Sequence, residues 1–245
     1  MIHVVTPENR TVYAKELLQL HRLSAGGNEA MREAWGAYDR GDDDRAVYFL
    51  ALDAGGAVEC GGRVRPADDW SVLVDIAPHL IGPDEADVRG ATVWELTGLH
   101  AAPHLLGPEP TNDARRGDLR LAIIEEAHER GIDRLVTIVG ANRLPAMLRC
   151  GWRVRLMGLP GDFEASCAAA VEVDASWEAV VELRERLAVV ASRRLHLPGH
   201  KSLGEAPLKE IEQFLEAAQR LSPNQLRPLL VALRAAIEDD DAPED

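Results

Sequence analysis

The sequence predicts an α/β protein in which helices flank a mixed, mainly antiparallel central sheet, with a helical extension at the C-terminal end. Three observations predict this fold. Two extended runs flank the turn 53–56, whose glycines suit a β-hairpin. Helical and extended patterns then alternate as far as residue 195. Finally, two amphipathic segments close the chain on either side of Ser222 and Pro223.

The N-terminal half is predicted to begin with helices and continue with strands. Residues 11–23 have leucines at helical spacing, and residues 28–38 continue the helical tendency. Residues 47–53 and 57–65 are the two strands of the predicted hairpin, and residues 91–101 form a further extended run. These segments supply the first part of the sheet.

The C-terminal half alternates helices with strands. The predicted order is helix 116–131, strand 134–140, helix 142–151, strands 152–158 and 168–176, and helix 177–195. We expect a main domain over residues 1–195. Residues 196–245 are predicted to form a helical hairpin with an acidic, disordered tail.

Composition narrows the class of protein. A chain of 245 residues with 46% hydrophobic content can bury a large core. The sequence has no apolar run of the roughly 20 residues that span a bilayer, so we expect no membrane insertion and a cytoplasmic location. The three cysteines are widely spaced, which predicts core or near-core thiols rather than disulfides.

The charge distribution indicates the kind of partner. A formal net charge of -14 argues against nucleic-acid binding, which needs clustered basic side chains. Arginines nevertheless gather in the middle of the chain, at Arg115, Arg116, Arg120, Arg143, Arg149, Arg153 and Arg155. Such a basic surface can attract an anionic protein or a phosphate-bearing molecule.

Three motifs, taken in order, carry a resemblance to a known family. Asp39 and Asp42 precede the aromatic strand 47–50, Arg63 lies near the end of the strand 58–66, and Trp94-Glu95-Leu96-Thr97 follows. Together they resemble the acyl-homoserine-lactone synthase (autoinducer synthase) family, whose fold is close to that of the Gcn5-related N-acetyltransferases. The resemblance covers roughly residues 1–190. One departure is Gly98, which stands where the family has an arginine.

The resemblance implies a reaction. An acyl group passes from acyl carrier protein or acyl-CoA to the amine of S-adenosylmethionine, a lactone closes, and methylthioadenosine leaves. Both reactants are substrates, and no tightly bound cofactor is implied. Two alternatives remain: a CoA-dependent N-acyltransferase with another amine acceptor, and a non-catalytic relative that binds S-adenosylmethionine or a partner.

The resemblance and the chemistry also predict site residues. Carboxylates suit a sulfonium and an amine, while a cation suits the substrate carboxylate. The predicted catalytic residues are Glu95, Asp39 and Asp42. The predicted substrate-binding residues are Arg63, Arg22, Trp35, Thr97, Thr137 and Val139. The alternative for Glu95 is a buried ion pair with Arg63. Arg65, on the same face of its strand as Arg63, is expected to face solvent.

Outside this site, the sequence predicts further contacts. Arg115, Arg116 and Arg149 are candidates for contact with a carrier protein or a phosphate, and solvated surface is the alternative. Oligomerisation through the C-terminal helices is possible. We assign no metal, because Pro198-Gly199 separates His196 from His200 and breaks the helix that a metal-binding pair would need.

Overall fold

One mixed sheet organises the protein. The computed structural model describes residues 1–24, 44–85, 87–102, 105, 110–164 and 166–197. Within them the strands are β1 Ile2–Val5, β2 Val47–Leu52, β3 Val58–Pro66, β4 Val93–Ala101, β5 Arg134–Gly140, β6 Val154–Leu156, β7 Gly161–Phe163, β8 Ser166–Asp174 and β9 Arg194–His196. Their spatial order is β6-β8-β5-β4-β3-β2-β1-β9, and β7 also pairs with β8.

Helices cover both faces of this sheet. The helices are α1 Ala14–Ser24, α2 Val72–Asp75, α3 Pro110–Glu129, α4 Leu144–Arg149 and α5 Trp177–Leu187, with 3-10 turns at Arg10–Tyr13 and Pro78–Leu80. The pairs β4–β5 and β1–β9 are parallel, whereas the other strand pairs are antiparallel. The predicted mixed, mainly antiparallel fold is therefore confirmed.

Alternating side chains divide the core between the two faces of the sheet. On one face, residues such as Phe49, Val64 and Leu96 pack with Ile123 of α3 and Leu183 of α5. On the other face, Tyr48 and Leu50 pack with α1. We call these the α3 face and the α1 face. The functional residues described below lie on one or other of them.

The β2–β3 hairpin forms as predicted. The Asp53 N–H donates to the Ala57 carbonyl over 2.8 Å, and the Ala57 N–H donates to Asp53 Oδ1 over 2.8 Å. Gly56 has a φ of 80°, a conformation that glycine adopts without steric penalty. This turn fixes the register that places Arg63 opposite Tyr48.

Several expectations need correction. The sequence pattern did not predict β1, which pairs with β2 and β9. The predicted helix 177–195 ends at Leu187, because Ala188 turns into the left-handed region at a φ of 53°. The last residues of that segment begin β9, Arg194–His196, instead of continuing the helix. Cys167 is exposed rather than buried.

Some predicted elements lie outside the described residues. These are the helical tendency over 28–38 and the C-terminal hairpin beyond residue 197. Among the described residues, no helix is both long and apolar enough to cross a membrane.

Candidate active site

A cleft opens in the middle of the sheet where β4 and β5 separate. The parallel register runs from Val93–Arg134 to Glu95–Val136 and stops there. Both strands are described in full and continue to residues 101 and 140. The edge of β4 beyond residue 96 is therefore not covered by β5. Among the described strands, none pairs with that edge of β4, and we call the gap beside it the cleft.

A β-bulge bends β4 at the start of this cleft. Arg63 pairs with Thr97 and Gly61 pairs with His100, so Gly98 and Leu99 together oppose the single residue Gly62. Gly98 has a φ of 60°, in the left-handed region that favours glycine. The glycine at this position, where the family has an arginine, thus fits the backbone of this chain.

Arg63 and Thr97 form the polar centre of the α1 face. A Cβ at Gly61 would lie 2.9 Å from Leu20 Cδ1 of α1, which shows that this side of β3 faces α1. Arg63 has the same orientation, is buried, and donates from Nε to Thr97 Oγ1 over 2.9 Å. Two predicted substrate-binding residues are thus brought together.

Glu95 lies on this face too, but α2 encloses it. Its carboxylate is 1% exposed and accepts hydrogen bonds from Ser71 Oγ at 2.9 Å, the Val72 N–H at 3.0 Å and the Leu73 N–H at 2.9 Å. Burial raises its pKa, while these three donors and Arg65 oppose the rise. The carboxylate thus satisfies the first N–H groups of α2.

The neighbours of Glu95 correct two expectations. The residue opposite it in the register is Arg65 and not Arg63. Arg65, expected to face solvent, is 1% exposed. It donates to Asp69 Oδ1 over 2.9 Å and to the carbonyl of Trp70, whose ring its guanidinium covers at 5.2 Å. Arg65 therefore fixes the loop that leads into α2.

His100, which the sequence analysis did not select, completes the α1 face. Its ring lies over the bulge, 3.9 Å from the position that a Cβ at Gly98 would take. Burial, followed by the nearby charges of Arg143 and His21, lowers its pKa to about 4. His21 packs its ring edge-on against Tyr48, with centroids 6.5 Å apart. Arg22, predicted to bind substrate, is exposed.

The α3 face beside the cleft is apolar. Thr137 is buried and shares this face with Leu135, while Val139 is half-buried two residues further along β5. On β3, which lies on the other side of β4 from β5, a Cβ at Gly62 would lie 3.2 Å from Leu99 Cδ1 and 3.6 Å from Ile123 Cδ1. The cleft therefore has a polar side and an apolar side.

The remaining predicted residues fall into two groups. Asp39, Asp42 and Trp35 lie outside the described residues. Of the three arginines predicted to contact a carrier or a phosphate, Arg115 forms an ion pair with Glu59 and also donates to the Leu52 carbonyl over 3.3 Å. Arg116 is half-buried and Arg149 is exposed. The ion pair of Arg115 therefore joins α3 to β3 of the hairpin.

Comparison with known proteins addresses the identity of this fold. No protein-family model matches the sequence. BjaI, a CoA-dependent acyl-homoserine lactone synthase, matches with a TM-score of 0.68 and 25% identity, over 81% of this chain and 93% of BjaI. The chain therefore has the fold of an acyl-homoserine lactone synthase.

Further solved structures agree. MesI, also a CoA-dependent acyl-homoserine lactone synthase, matches with a TM-score of 0.61 and 24% identity, over 79% of this chain and 98% of MesI. TofI in an apo form matches with a TM-score of 0.57 and 23% identity, over 75% of this chain and 95% of TofI. The predicted resemblance and the N-acyltransferase-like fold are confirmed, and the fold is that of an acyltransferase.

Proposed function

We propose that the protein is an acyl-homoserine-lactone synthase that transfers an acyl group to S-adenosylmethionine. The observation that carries this proposal is the two-sided cleft between β4 and β5. Arg63, Thr97 and His100 lie on the α1 face beside it, and Leu99 and Thr137 lie on the α3 face. A polar amino-acid substrate and an apolar acyl chain can therefore approach the bulge from opposite faces.

The reaction in this cleft has two balanced steps. In the first, the substrate amine attacks the thioester carbonyl, the C–S bond breaks, and the proton lost by the nitrogen goes to the thiolate. Main-chain N–H groups on the free edge of β4 are suitable donors to the carbonyl oxygen as it gains negative charge. In the second step, the carboxylate attacks the carbon attached to the sulfonium, which closes the lactone and expels methylthioadenosine.

The site residues take separate roles in this proposal. Arg63 attracts the substrate carboxylate, with Thr97 holding its Nε in place. Asp39 and Asp42 remain the predicted carboxylates for the sulfonium and the amine. Thr137 and Val139 border the acyl chain, and Val139 favours an unsubstituted chain. Trp35 and Arg22 remain predicted substrate contacts.

Glu95 takes a different role from the catalytic one that the sequence predicts. Its carboxylate is enclosed and accepts three hydrogen bonds from the start of α2, which leaves a substrate amine no direct approach through the described residues. We therefore assign Glu95 to holding α2 against the cleft. The amine is free to lose its proton to water or to the leaving thiolate.

The acyl donor in this proposal is acyl-CoA, with acyl carrier protein as the alternative. BjaI and MesI are both described as CoA-dependent, and BjaI has been solved with S-adenosylmethionine and isopentyl-CoA. The ion pair of Arg115 with Glu59 makes this arginine a weaker candidate for carrier docking. A cytoplasmic location and oligomerisation through the C-terminal helices remain predictions.

A mass-spectrometric assay tests the proposal. Purified protein is incubated with S-adenosylmethionine and a panel of acyl-CoA and acyl-carrier donors. We expect lactone and methylthioadenosine in equal amounts, with acyl-CoA the better donor. Arg63→Met should reduce the rate by about tenfold or more, because it removes a charged hydrogen-bonding partner. Arg193→Met changes an exposed arginine and is the control.

Two results would contradict the proposal. The first is the absence of both products across the whole panel. The second is acylation of a different amine without release of methylthioadenosine, which would instead support a CoA-dependent N-acyltransferase.

A further inference from the structure

Arg63 is the middle member of a row of three side chains that crosses the sheet on the α1 face. It pairs with Tyr48 of β2 on one side and with Thr97 of β4 on the other. Residues that pair directly across antiparallel strands have their side chains next to each other on one face, with Cβ atoms about 5 Å apart. Tyr48 and Thr97 are therefore the lateral neighbours of Arg63.

The two neighbours act on Arg63 in different ways. Thr97 Oγ1 accepts a hydrogen bond from Arg63 Nε over 2.9 Å, which draws the guanidinium toward β4. Tyr48 is 2% exposed and occupies the β2 side with its ring. An arginine side chain has many rotamers, and a ring on one side excludes those that lean toward β2. Both neighbours therefore direct the guanidinium toward β4 and the cleft beside it.

Tyr48 is itself held in place. The guanidinium of Arg10 lies 5.3 Å from the centroid of the Tyr48 ring, and Arg10 Nη2 also donates to the Ala46 carbonyl over 2.9 Å. His21 of α1 packs its ring edge-on against Tyr48, with centroids 6.5 Å apart. Contacts from the 3-10 turn and from α1 thus restrict the ring. A ring fixed in this way can restrict the arginine beside it.

We propose that Tyr48 is a positioning residue that holds the Arg63 guanidinium in the orientation that binds the α-carboxylate of the substrate. This inference rests on the proposed function, in which Arg63 attracts that carboxylate. Binding is stronger when a side chain already has its binding orientation, because less conformational entropy is lost. The effect of Tyr48 therefore requires Arg63, the substrate carboxylate and the aromatic ring, but not the tyrosine hydroxyl.

The experiment compares two ligands that differ in one group. S-adenosylmethionine carries the carboxylate, while decarboxylated S-adenosylmethionine keeps the sulfonium and the amine. Titration calorimetry measures the affinity of the wild type, Tyr48→Leu, Tyr48→Phe, Arg63→Met and the double variant Tyr48→Leu/Arg63→Met. Tyr48→Met is a second variant without the ring, and its flexible side chain adapts to the core if leucine prevents folding. Tyr13→Leu is the matched control, because Tyr13 is a buried tyrosine of the same core cluster outside the row.

We expect Tyr48→Leu and Tyr48→Met to weaken S-adenosylmethionine binding by about fivefold, the size expected when one more side chain must be ordered on binding. Binding of the decarboxylated ligand should stay within about twofold of the wild type, which also shows that the variants are folded. Tyr48→Phe keeps the ring and should restore the affinity for S-adenosylmethionine.

The double variant tests whether Tyr48 acts through Arg63. In the Arg63→Met background, Tyr48→Leu should have no further effect on S-adenosylmethionine binding, because the residue that it positions is absent. Tyr13→Leu should change the affinities for the two ligands by the same factor.

Several results would overturn the inference. Unchanged S-adenosylmethionine binding without the ring, or an equal loss of both ligands in Tyr48→Leu and Tyr48→Met, would show that Tyr48 does not position Arg63. A full effect of Tyr48→Leu in the Arg63→Met background, or discrimination between the ligands by Tyr13→Leu, would show the same. In each case the proposed function stands. If wild-type protein does not bind S-adenosylmethionine, the proposed function and the inference fail together.

Discussion

The two halves of β4 contrast in how their polar groups are satisfied. From Val93 to Glu95 the strand is paired on both edges, and the one carboxylate in this half accepts three hydrogen bonds. From Thr97 to Ala101 the strand pairs with β3 alone among the described strands, bends at Gly98 and carries His100. We call Val93–Glu95 the sealed half of β4 and Thr97–Ala101 the open half.

This contrast shows how differently the two halves of β4 place their polar side chains. Glu95 lies within two residues of Thr97, yet its carboxylate faces donors from α2 rather than the cleft. His100 lies on the open half, and its imidazole faces α1. The two residues thus lie on opposite sides of the bulge, and Glu95 is the one that α2 encloses.

The largest expected loss of stability follows from removing the Glu95 carboxylate, which lies in the sealed half of β4. Glu95→Ala leaves three buried donors without their acceptor, so we expect a loss of about 3 kcal/mol in the free energy of unfolding. This corresponds to a drop of roughly 6 to 12 °C in Tm for a domain of this size. Glu185→Ala, which changes an exposed glutamate, should remain within about 0.5 kcal/mol.

Urea titration and thermal melting measure this effect. A Glu95→Ala protein as stable as the wild type would show that α2 does not depend on this carboxylate.

The bulge is tested by Gly98→Ala. Because φ is 60° at this position, a side chain there is strained and we expect a loss of about 1 to 2 kcal/mol in the free energy of unfolding. Gly131→Ala is a matched control, since Gly131 has a φ of 73° and no atom within 4 Å of its Cβ position. Both variants should lose similar stability in urea, but only Gly98→Ala should also lose acyl transfer. Equal activity in the two would contradict a role for the bulge.

The pH dependence of stability tests the open half of β4, because His100 lies in it. Its pKa is about 4 in the folded protein against 6.5 in the unfolded chain, so the unfolded state binds more protons between these values. Stability is therefore present above pH 6.5 and is lost as the pH falls toward 4. His3, whose pKa is also lowered to about 4 by burial, contributes in the same direction.

Urea unfolding at pH 6.5 and pH 5 isolates the share of His100. We expect the stability difference between the two pH values to shrink by about 1 kcal/mol in His100→Gln. An unchanged difference would mean that His100 titrates normally in the folded protein.

The smallest expected effect concerns the residue at the boundary between the halves. Thr97→Val keeps the shape of the side chain but removes the oxygen that accepts from Arg63 Nε. We expect a loss of about 0.5 to 1 kcal/mol in stability and a similar loss in S-adenosylmethionine binding, measured by calorimetry. Thr97→Ser keeps the hydroxyl and should restore the binding. Failure of the serine variant to do so would point to packing instead of the hydrogen bond.

Local patterns predicted most of the fold. The hairpin turn at 53–56, the helix that Gly131 ends and the buried strand 134–140 each carry their own signal over adjacent residues. The missed strand β1 has four residues, all buried, so neither alternation nor length marks it. The early end of α5 depends on the left-handed conformation of Ala188, which its residue type does not predict.

The candidate site was predicted less completely, because tertiary contacts decide it. The motif located Arg63 and Thr97, whose contact follows from simple strand pairing. The donors to Glu95 lie more than 20 residues earlier in the chain, at 71–73, and no local pattern connects them. His100 was missed because its orientation depends on the bulge. A glycine inside a strand, Gly98, was the available signal.

The parallel pairing of β1 with β9 also constrains the order in which the sheet forms during synthesis. Ile2 pairs with Arg194, and Arg194 forms ion pairs with Glu126 and Glu129 of α3. During synthesis, β9 leaves the ribosome only after nearly the whole described chain. The edge of β1 that pairs with β9 is therefore uncovered until then. Such contacts between distant parts of a sequence slow folding and leave an edge exposed meanwhile. The order of translation thus makes β1 one of the last strands of the described sheet to gain both of its neighbours.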